Sequence, residues 1–419
     1  MNILMMTNTY LPHVGGVARS VDGFSQALRA RGHDVLVVAP TFSGAARREA
    51  GVIRVPAIQR FNGSDFSLRL PVPGLLSRAL DRFEPDLVHS HHPFLLGDAA
   101  LRVATRLALP LVFTHHTMYE RYTHYVPGDS PALRRFVIAM AREYANLCDA
   151  VIAPSESIGR LLAERGVQAP IRAIPTGVDV GRFSRGNGAR VRARLGIAPS
   201  AFVVGHVGRL AHEKNLPFLA TAVAGFLRRH PDAHFLVVGS GPAADAIRAT
   251  RHGSVARVHF TGSLQGQDLV DAYHAMDVFA FASHTETQGM VLAEAMAAGV
   301  PVVALDAPGV REVIRDGRNG RLLPNQDAGA FAAALEQMKR ALRQRRDTWK
   351  REALRTATDC SLERCTDRLL DLYDGLDGSG ERGRPEETPW AQVRRRIETE
   401  WEIWSGRAEA AVDSLRTRA

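Results

Sequence analysis

Two carboxylates, those of Glu286 and Glu294, lie eight residues apart around a predicted helix start. An acidic residue in the first turn interacts favourably with the helix dipole, so Glu286 alone could serve as a cap. Glu294 lies two turns deeper, where a cap has no use. The backbone N–H groups of Gly289, Met290 and Val291 would form an anion site at the same place, and glycine allows a ligand to approach the chain closely. The pair indicates a sugar or polyol ligand, although an ordinary surface helix is the more frequent explanation of two such acids.

Two cations upstream, Arg209 and Lys214, change that balance. They follow the apolar, strand-like run at 202–207 and precede an apolar helix pattern that starts near Leu216. Positive side chains at the end of a strand are suited to binding a diphosphate. This context favours the ligand-binding interpretation of the two acids over the surface helix.

Length and charge set the scale of the protein. With 419 residues and 45% hydrophobic content, the chain is long enough for two domains with full cores. The formal net charge of +9 and the isoelectric point near 10.0 favour anionic partners such as nucleotide phosphates, acidic lipid surfaces or nucleic acid. Charge alone does not choose among them.

Cysteine usage and the apolar runs bear on the compartment. The three cysteines, Cys148, Cys360 and Cys365, form no Cys-x-x-Cys pair, which is expected for a reducing cytosol. The first residues, MNILMMT, are predicted to form a core strand rather than a signal peptide, because the apolar run is short and has no basic leader. No sequence window approaches the roughly 20 apolar residues of a membrane span, so any membrane contact is expected to be peripheral.

Alternating strand and helix patterns predict two domains with parallel sheets. A strand at 2–6, a loop with Gly15 and Gly16, a helix at about 17–31 and a strand at 35–39 form a βαβ unit. Such alternation is typical of doubly wound sheets, in which ligands bind at the carboxyl ends of the strands. The weakly periodic stretch 179–200 is interpreted as a linker with the first helix of the second domain. The further strand-like runs are 87–89, 111–113, 150–153 and 171–174, and then 202–207, 235–238, 258–260, 278–282 and 301–305.

The carboxyl-terminal part departs from this pattern. After a helix at about 362–376, the glycine-rich stretch 378–385 breaks the periodicity, and a last helix is predicted at about 390–415. Because Ile397, Trp401 and Trp404 fall on one face of that helix, the extension is expected to pack against the rest of the protein through them.

Two histidine clusters follow strands of the first domain, namely His89, His91 and His92, and then His115 and His116. Zinc is one conceivable ligand, but no nearby carboxylate or cysteine completes a ligand set, and most such histidines bond to the backbone. No metal site is therefore expected. A neutral imidazole directed at a sugar hydroxyl is the better interpretation of His116.

The segment 131–148 has apolar residues at helical spacing. The simpler interpretation is an amphipathic helix packed on its own sheet. The alternative is an interfacial helix, whose arginines meet anionic lipid headgroups while its apolar side chains enter beneath them. The apolar stripe comprises Leu133, Phe136, Val137, Met140, Tyr144 and Leu147, and the arginines that lie mostly off it are Arg134, Arg135 and Arg142.

Taken together, these motifs resemble those of the large retaining glycosyltransferase family with the GT-B fold, often called group 1 glycosyltransferases. The similarity spans about residues 1–376, and its most specific elements are Gly15-Gly16, Arg209 with Lys214, and Glu286-x7-Glu294. It implies an α/β fold in which two Rossmann-like doubly wound domains face each other across a cleft. The acceptor domain would be 1–178, the nucleotide-sugar donor domain 179–376, and a helical extension outside the usual pattern 377–419.

The resemblance also implies a role for each motif residue. The donor diphosphate would be bound by Arg209 and Lys214, the donor sugar by Glu286 and the ribose by Glu294. His116, in the first domain, would contact the donor sugar near the reaction centre. Further donor contacts would come from Gly15, Gly16, Leu264 (through its backbone, to the base), Gly289, Met290 and Val291.

Two short runs, HTMYERY at 116–122 and TETQG at 285–289, look most like the diacylglycerol α-glucosyltransferase branch. That similarity implies transfer of glucose from UDP-glucose to a hydroxyl of diacylglycerol, by a cytoplasmic protein that is peripherally associated with the inner face of the membrane. Contact with the membrane or the acceptor would come from Arg134, Arg135, Phe136 and Arg142.

The expected mechanism keeps the anomeric configuration of the sugar. No carboxylate stands out as a covalent nucleophile, so an internal return on one face, with the leaving phosphate taking the proton of the acceptor, fits better than double displacement. Fixed cations would stabilise the leaving nucleoside diphosphate in place of a divalent metal, and no cofactor is expected.

Several alternatives stay open. The same chemistry could act on a soluble sugar or sugar-phosphate acceptor, and the GT-B fold also serves nucleotide-sugar epimerases and glycan phosphorylases. A basic binding protein without activity is a third alternative. An NAD-dependent dehydrogenase is disfavoured because the run Gly239-Ser240-Gly241 lacks the third glycine of the fingerprint. Nucleic-acid binding has only the net charge in its favour.

Overall fold

The computed structural model describes residues 1–13, 15–46, 49–58, 68–69, 75–123, 129–249, 255–283 and 286–377, and the single residues 399, 401, 403, 405, 407 and 411. The chain separates into two compact units. The first unit is Met1–Thr176 together with Cys365–Ala419, and the second unit is Gly177–Arg364.

The first unit is organised around a parallel sheet whose strand order is β3-β2-β1-β6-β7-β8-β9. Its strands are β1 (Asn2–Met6), β2 (Asp34–Pro40), β3 (Val52–Val55), β6 (Leu87–Ser90), β7 (Leu111–Thr114), β8 (Ala150–Ala153) and β9 (Ile171–Ala173), and β4 (Ala57–Ile58) pairs antiparallel with β5 (Leu68–Arg69). The helices are α1 (Gly16–Ala30), α2 (Leu75–Phe83), α3 (Leu96–Leu107), α4 (Pro131–Asn146) and α5 (Glu156–Glu164), with a 3-10 turn at Tyr119–Arg121. The central strands β6, β7 and β8 are buried along their whole length. This burial explains their unbroken apolar sequence, since a parallel sheet is covered on both faces.

The second unit repeats the plan with the strand order β12-β11-β10-β13-β14-β15. Its strands are β10 (Phe202–Val207), β11 (Ala233–Val238), β12 (Val258–Gly262), β13 (Val278–Phe281), β14 (Val302–Leu305) and β15 (Gly320–Leu323). The helices are α6 (Val180–Phe183), α7 (Gly188–Arg194), α8 (Leu216–Arg229), α9 (Ala244–Ala249), α10 (Gly266–His274), α11 (Met290–Ala297) and α12 (Ala328–Asp359), with 3-10 turns at His212–Lys214 and Val255–Arg257.

The predicted fold class, two doubly wound parallel sheets, is confirmed. In each unit the strand order reverses beside the first strand, between β1 and β6 and between β10 and β13. Open parallel sheets bind ligands outside the carboxyl ends of the strands at such a switch point. The topology therefore directs attention to the loops that follow these four strands.

Helix α13 (Leu362–Asp377) contains the second division between the two units. The division after Thr176 lies two residues from the predicted boundary at 178, but the second division falls after Arg364 instead of after 376. Cys365, Leu369 and Tyr373, which are spaced four residues apart, are fully buried. This face of α13 packs into the first unit, which is why most of the helix belongs there.

The carboxyl-terminal extension packs through a different face from the one predicted. Ile403 is 6% exposed and belongs to the core cluster of the first unit, and Arg407 forms an ion pair with Asp98 on α3. Trp401 is 73% exposed, so the prediction that it docks was wrong. At 100° per residue, Trp401 lies about 200° around the helix from Ile403, on the opposite face. The other two residues of the predicted face, Ile397 and Trp404, lie outside the described residues.

Candidate functional site

The loop that carries Arg209 is fixed by a close backbone contact with the loop after β11. Leu210 N–H donates to Ser240 O at 2.9 Å. A Cβ added to Gly239 would lie 1.9 Å from Gly208 O, and one added to Gly241 would lie 2.3 Å from Leu210 O. Only glycine fits these two positions, so the run Gly239-Ser240-Gly241 forms a tight structural turn. The turn holds the Arg209 loop at the end of β10.

Lys214 and Glu286, which the sequence predicted to bind different parts of one ligand, contact each other. Lys214 Nζ donates to Glu286 Oε1, and the two side chains are 20% and 14% exposed. Lys214 ends the 3-10 turn after β10, while Glu286 follows β13, the neighbouring strand across the switch point. Ser283 Oγ ties the two loops together by donating to Glu213 O at 3.2 Å. The carboxyl ends of β10 and β13 therefore present a joined cation and carboxylate.

The predicted anion site at the start of α11 has the backbone geometry that glycine supplies. Gly289 precedes Met290, the first residue of α11, with a φ of 72°. A residue that sequence reasoning missed, Gly309, supports this turn from the other side, since a Cβ there would lie 2.6 Å from Gln288 N. Gly309 also has a φ of 74°. No local signal in the sequence separates this glycine from an ordinary loop glycine.

Glu294 bonds to a different partner from Glu286. It is 4% exposed, and Tyr273 Oη donates to its Oε2 at 2.7 Å. Tyr273 is itself fully buried on α10. A buried carboxylate needs such a donor, because an ionised group without one is costly in the protein interior. Sequence reasoning missed Tyr273, which fits the apolar pattern of its helix and shows no functional signal.

Leu264, the predicted contact to the base, lies in the loop that follows β12. It is partly buried and packs against the larger core cluster of the second unit. The preceding residue, Ser263, hydrogen-bonds through its Oγ to Ser240 Oγ at 2.7 Å. This bond connects the Leu264 loop to the glycine turn that supports Arg209.

His206 lies under this set of loops and was missed by sequence reasoning. It is 1% exposed on β10, and its Nδ1 donates to Ala280 O at 3.1 Å. Its buried Nε2 has no hydrogen-bond partner among the residues that the structure describes. Burial lowers the pKa of His206 to about 4, with the nearby Lys214 adding to the shift and Glu286 opposing it. The imidazole is therefore neutral at physiological pH.

In the first unit, the predicted glycine loop leads directly into α1. Gly15 precedes the helix in an extended conformation, and Gly16 is its first residue. A Cβ on Gly16 would meet nothing within 4 Å, whereas one on Gly15 would lie 3.2 Å from His13 Nε2. Neither position requires glycine for its φ, so the open space at Gly16 is what would admit a ligand.

The two histidine clusters of the first unit meet each other. His91 Nδ1 lies 3.0 Å from His116 Nε2, and the two rings stack with centroids 5.2 Å apart. His89 bonds through Nδ1 to Tyr373 Oη at 2.6 Å, and Asn8 N–H donates to Nδ1 of His92 at 3.1 Å. The structure therefore brings both clusters together at the ends of β6 and β7.

Burial keeps these imidazoles neutral. It lowers the pKa of His89 and of His92 to about 3, and it holds the pKa of His91 and of His116 well below the usual 6.5, with the neighbouring histidines adding to the shift. Neutral imidazoles carry both a donor and an acceptor nitrogen, which suits hydrogen bonding to hydroxyl groups. In the described ranges, no three His, Cys, Asp or Glu side chains are grouped closely enough to hold a metal ion.

Helix α4 carries the predicted membrane-contacting residues, and of its predicted apolar stripe only Tyr144 is buried. The residues buried on α4 are Ala139, Ala141, Tyr144 and Ala145, whereas Phe136 is only half-buried. Arg134 and Arg135 are exposed, and Arg134 pairs with Asp129 at 2.7 Å. Arg142 pairs with its neighbour Glu143. The helix therefore packs against the first unit mainly through small alanines. Part of the apolar stripe stays accessible to solvent.

No helix in the described part of the chain is both long and apolar enough to cross a membrane.

Comparison with known proteins matches both units to glycosyltransferase families. The family model described as Glycosyltransferase Family 4 matches residues 14–182, and the one described as Glycosyl transferases group 1 matches residues 201–340. The chain is 31% identical over 348 residues to the alpha-monoglucosyldiacylglycerol synthase of Streptococcus pneumoniae. The alignment covers 80% of this chain and 78% of that protein. It is also 33% identical over 388 residues to the GDP-mannose-dependent alpha-mannosyltransferase of Mycobacterium tuberculosis. That alignment covers 90% of this chain and 97% of the transferase.

Among solved structures, HepE of Anabaena in complex with UDP aligns with a TM-score of 0.71, over 90% of this chain and 100% of that chain. At 22% identity, this likeness supports the fold alone. The two sheets, the residues at their switch points and the sequence relatives lead to one assignment: the chain belongs to the group 1 glycosyltransferases of the GT-B fold, and it is a hexosyltransferase.

Proposed function

We propose that this protein transfers glucose from UDP-glucose to a hydroxyl of a lipid such as diacylglycerol, at the surface of a membrane and with retention of the anomeric configuration. The observation that carries the proposal is the contact between Lys214 and Glu286 beside the glycine turn that opens α11. A cation, a carboxylate and a helix start in one place match the diphosphate and the hexose of a nucleotide sugar.

The proposed roles follow from charge. Arg209 and Lys214 stabilise the negative charge that develops on the β-phosphate as the nucleoside diphosphate leaves, and the N–H groups at the start of α11 add to this effect. Glu286 accepts hydrogen bonds from hydroxyls of the donor sugar. Glu294, held by Tyr273, accepts them from the ribose. Leu264 presents its backbone to the base.

His116 serves the transfer as a neutral hydrogen-bonding group toward the donor sugar. Its pKa lies well below 6.5 because of burial and the surrounding histidines, so it does not bring a positive charge to the reaction. His91, 3.0 Å away, fixes the orientation of the ring. Gly16 leaves open space for the donor at the start of α1, directly after Gly15.

The donor has one specific competitor. The Mycobacterium tuberculosis relative, named for GDP-mannose, aligns over more of this chain than the Streptococcus pneumoniae relative, 90% against 80%. Mannose from GDP-mannose is therefore the second candidate. UDP-glucose is ranked first on the branch motifs of the sequence and on the name of the Streptococcus pneumoniae relative.

The lipid acceptor is proposed on two grounds. One relative is named as a synthase of a glucosyldiacylglycerol, and α4 leaves apolar side chains such as Phe136 partly accessible beside the exposed Arg134 and Arg135. With Arg142, these residues would hold the protein on anionic headgroups at the cytoplasmic face. A soluble sugar or sugar phosphate is the alternative acceptor.

A donor screen tests the proposal. Release of nucleotide is measured for UDP-glucose and GDP-mannose, each with diacylglycerol vesicles of increasing anionic content, with a soluble sugar phosphate, and with no acceptor. We expect UDP release that requires diacylglycerol and rises with anionic lipid. Release with the soluble acceptor alone would refute the lipid assignment, and turnover of GDP-mannose alone would replace the donor.

Two further measurements address the chemistry. Proton NMR of the product is expected to show the α configuration of the donor, and the inverted configuration would exclude the proposed same-face return. Activity is expected to persist in EDTA, because fixed cations take the place of a divalent ion. Loss of activity in EDTA that added Mg²⁺ restores would contradict the proposed absence of a metal requirement.

A further inference from the structure

A basic stretch of α12 in the second unit carries charge that the proposed transfer does not use. Residues 339–355 contain eight lysines and arginines and two acids, Asp347 and Glu352. Their net charge of +6 is two thirds of the +9 of the whole chain. Most of the positive excess of this protein is therefore concentrated in seventeen residues of one helix.

Part of this charge has a structural role. Lys339 and Arg343 both pair with Asp232, at 2.5 Å and 3.4 Å, and Arg346 pairs with the buried Asp277 at 2.7 Å. These cations fasten α12 to its own unit. Lys350 differs, because its side-chain stem lies against Gly299.

The remaining cations form an exposed set without such partners. Arg340, Arg345, Arg351 and Arg355 are exposed, and none makes a hydrogen bond or ion pair with another residue in the part of the chain that the structure describes. Arg345 lies at a kink, with a φ of −141° and a ψ of 43°. We call these four residues the α12 basic surface. Exposed like charges along one helix raise the positive potential around it, which attracts an anionic partner.

We infer that the α12 basic surface binds the anionic headgroups of a phospholipid bilayer. The inference rests on the proposed function, because it takes the acceptor to lie in a membrane. Clusters of four to eight basic residues on a helix are typical of such binding, and each is worth about 1 kcal/mol near an anionic surface. The second unit would then have a membrane contact of its own, in addition to that of α4 in the first unit.

The composition of the surface favours a bilayer over nucleic acid. Proteins that bind single strands without sequence preference combine positive charge with aromatic side chains on which the bases stack. The aromatic residue within this stretch, Trp349, packs against a core cluster of the second unit. A bilayer surface requires charge alone.

Sedimentation with vesicles tests the inference without any substrate. The full chain is mixed with phosphatidylcholine vesicles that contain 0 to 40% phosphatidylglycerol, a range chosen on the order of natural anionic contents. The variant R340Q/R345Q/R351Q removes three charges from the surface. The matched control R194Q/R228Q/R318Q removes three exposed arginines elsewhere in the same unit.

We expect the α12 variant to partition about 100-fold more weakly onto anionic vesicles, which corresponds to about 3 kcal/mol at 1 kcal/mol per charge. The control is expected to change partitioning by less than threefold, and salt should weaken wild-type binding more than that of the α12 variant. Equal losses in both variants would overturn the inference, because net charge alone would then explain binding. Unchanged vesicle binding with weakened oligonucleotide binding in the α12 variant would assign the surface to nucleic acid instead.

The vesicle experiment can fail while the proposed transfer holds, and the reverse is also possible. A protein that shows the α12-dependent partitioning but no activity on diacylglycerol would keep the membrane surface and lose the proposed acceptor. Activity on diacylglycerol in detergent micelles, combined with equal vesicle binding by both variants, would keep the proposed function and remove the α12 surface.

Discussion

Replacing Lys214 by methionine is expected to remove most of the transferase activity while the second unit stays folded. Methionine keeps an unbranched apolar stem but removes the charge that contacts Glu286. If the ammonium stabilises the leaving diphosphate, its loss equals the removal of one preorganised donor, about 3–4 kcal/mol or a 10²–10³-fold decrease in kcat.

The substitution also has a structural effect that must be separated from the catalytic one. Glu286, only 14% exposed, loses its ion-pair partner, and we expect about 1–3 kcal/mol less stability in the second unit. Lys339→Met is the matched control, because Lys339 is 5% exposed and pairs with Asp232 at 2.5 Å. Its loss should lower stability by a similar amount and leave kcat unchanged.

The assay is nucleotide release at saturating donor, at a temperature where circular dichroism shows every variant to be folded. The double variant K214M/E286Q removes both charges, and it should regain stability without regaining activity. The reasoning is refuted if K214M keeps kcat within threefold of the wild type. It is equally refuted if Lys339→Met, far from any proposed ligand contact, loses as much activity as K214M.

Three further substitutions test the supports of the site and of the first unit. Tyr273→Phe removes the 2.7 Å bond to the buried acid of α11 and should destabilise the second unit by about 1.5–3 kcal/mol and weaken UDP binding in calorimetry; unchanged affinity would contradict the role of that acid. Gly309→Ala should lower the melting temperature more than Gly317→Ala, since both have a φ near 75° but only the former places a Cβ 2.6 Å from Gln288 N. His89 has a folded pKa of about 3 against 6.5 when unfolded, so its contribution to stability is complete above pH 6.5 and decreases by about 1.4 kcal/mol per unit as pH falls toward 3. His89→Gln should therefore flatten the pH dependence of unfolding of the first unit, and an unaltered slope would show that other groups cause it.

The central strands could be predicted from the sequence because burial on both faces leaves an unbroken apolar run. All four residues of β13 are buried, and the run at 278–282 was predicted as a strand. Of the four edge strands, β9 and β12 fall in predicted runs, whereas β3 and β15 were not predicted. β15 begins with Gly320 and Arg321 and therefore has only two apolar residues, and the apolar residues of β3 are interrupted by Arg54 within a run of only four.

The charged residues of the candidate site were named from the sequence. The uncharged residues that contact the site, Tyr273 and Gly309, were not. Glu286 and Lys214 stand out in the sequence because each follows an apolar, strand-like run and lies next to a helix pattern. Tyr273 and Gly309 act through contacts with residues about 20 positions away in the chain, and each also fits an ordinary local pattern. Only the fold reveals which tyrosine and which glycine make those contacts.

The carboxyl-terminal extension shows the limit of helical periodicity. Trp401 was placed on the packed face because its helical spacing puts it beside Ile397 and Trp404, yet the packed face contains Ile403 and the buried Thr399. Periodicity alone gives no unique orientation for a helix with apolar residues on two faces. Contact with Asp98 through Arg407 helps to select the observed one.

Glu286 and Glu294 have different partners, which fits the different roles proposed for them in binding and release of a ligand. Glu294 is buried and takes its hydrogen bond from a neutral phenol, so this bond involves no ion pair and can persist when a ligand arrives. Glu286 is partly exposed and forms an ion pair with Lys214. Water or a sugar hydroxyl can therefore compete with Lys214 for the carboxylate. When Glu286 turns toward the hydroxyls of a sugar, as proposed, the charge of Lys214 is less neutralised and becomes stronger toward a phosphate. On the proposed roles, occupation of the sugar position would therefore raise the capacity of the same site to stabilise the leaving group. A donor without its hexose should gain much less from Lys214 than the intact nucleotide sugar.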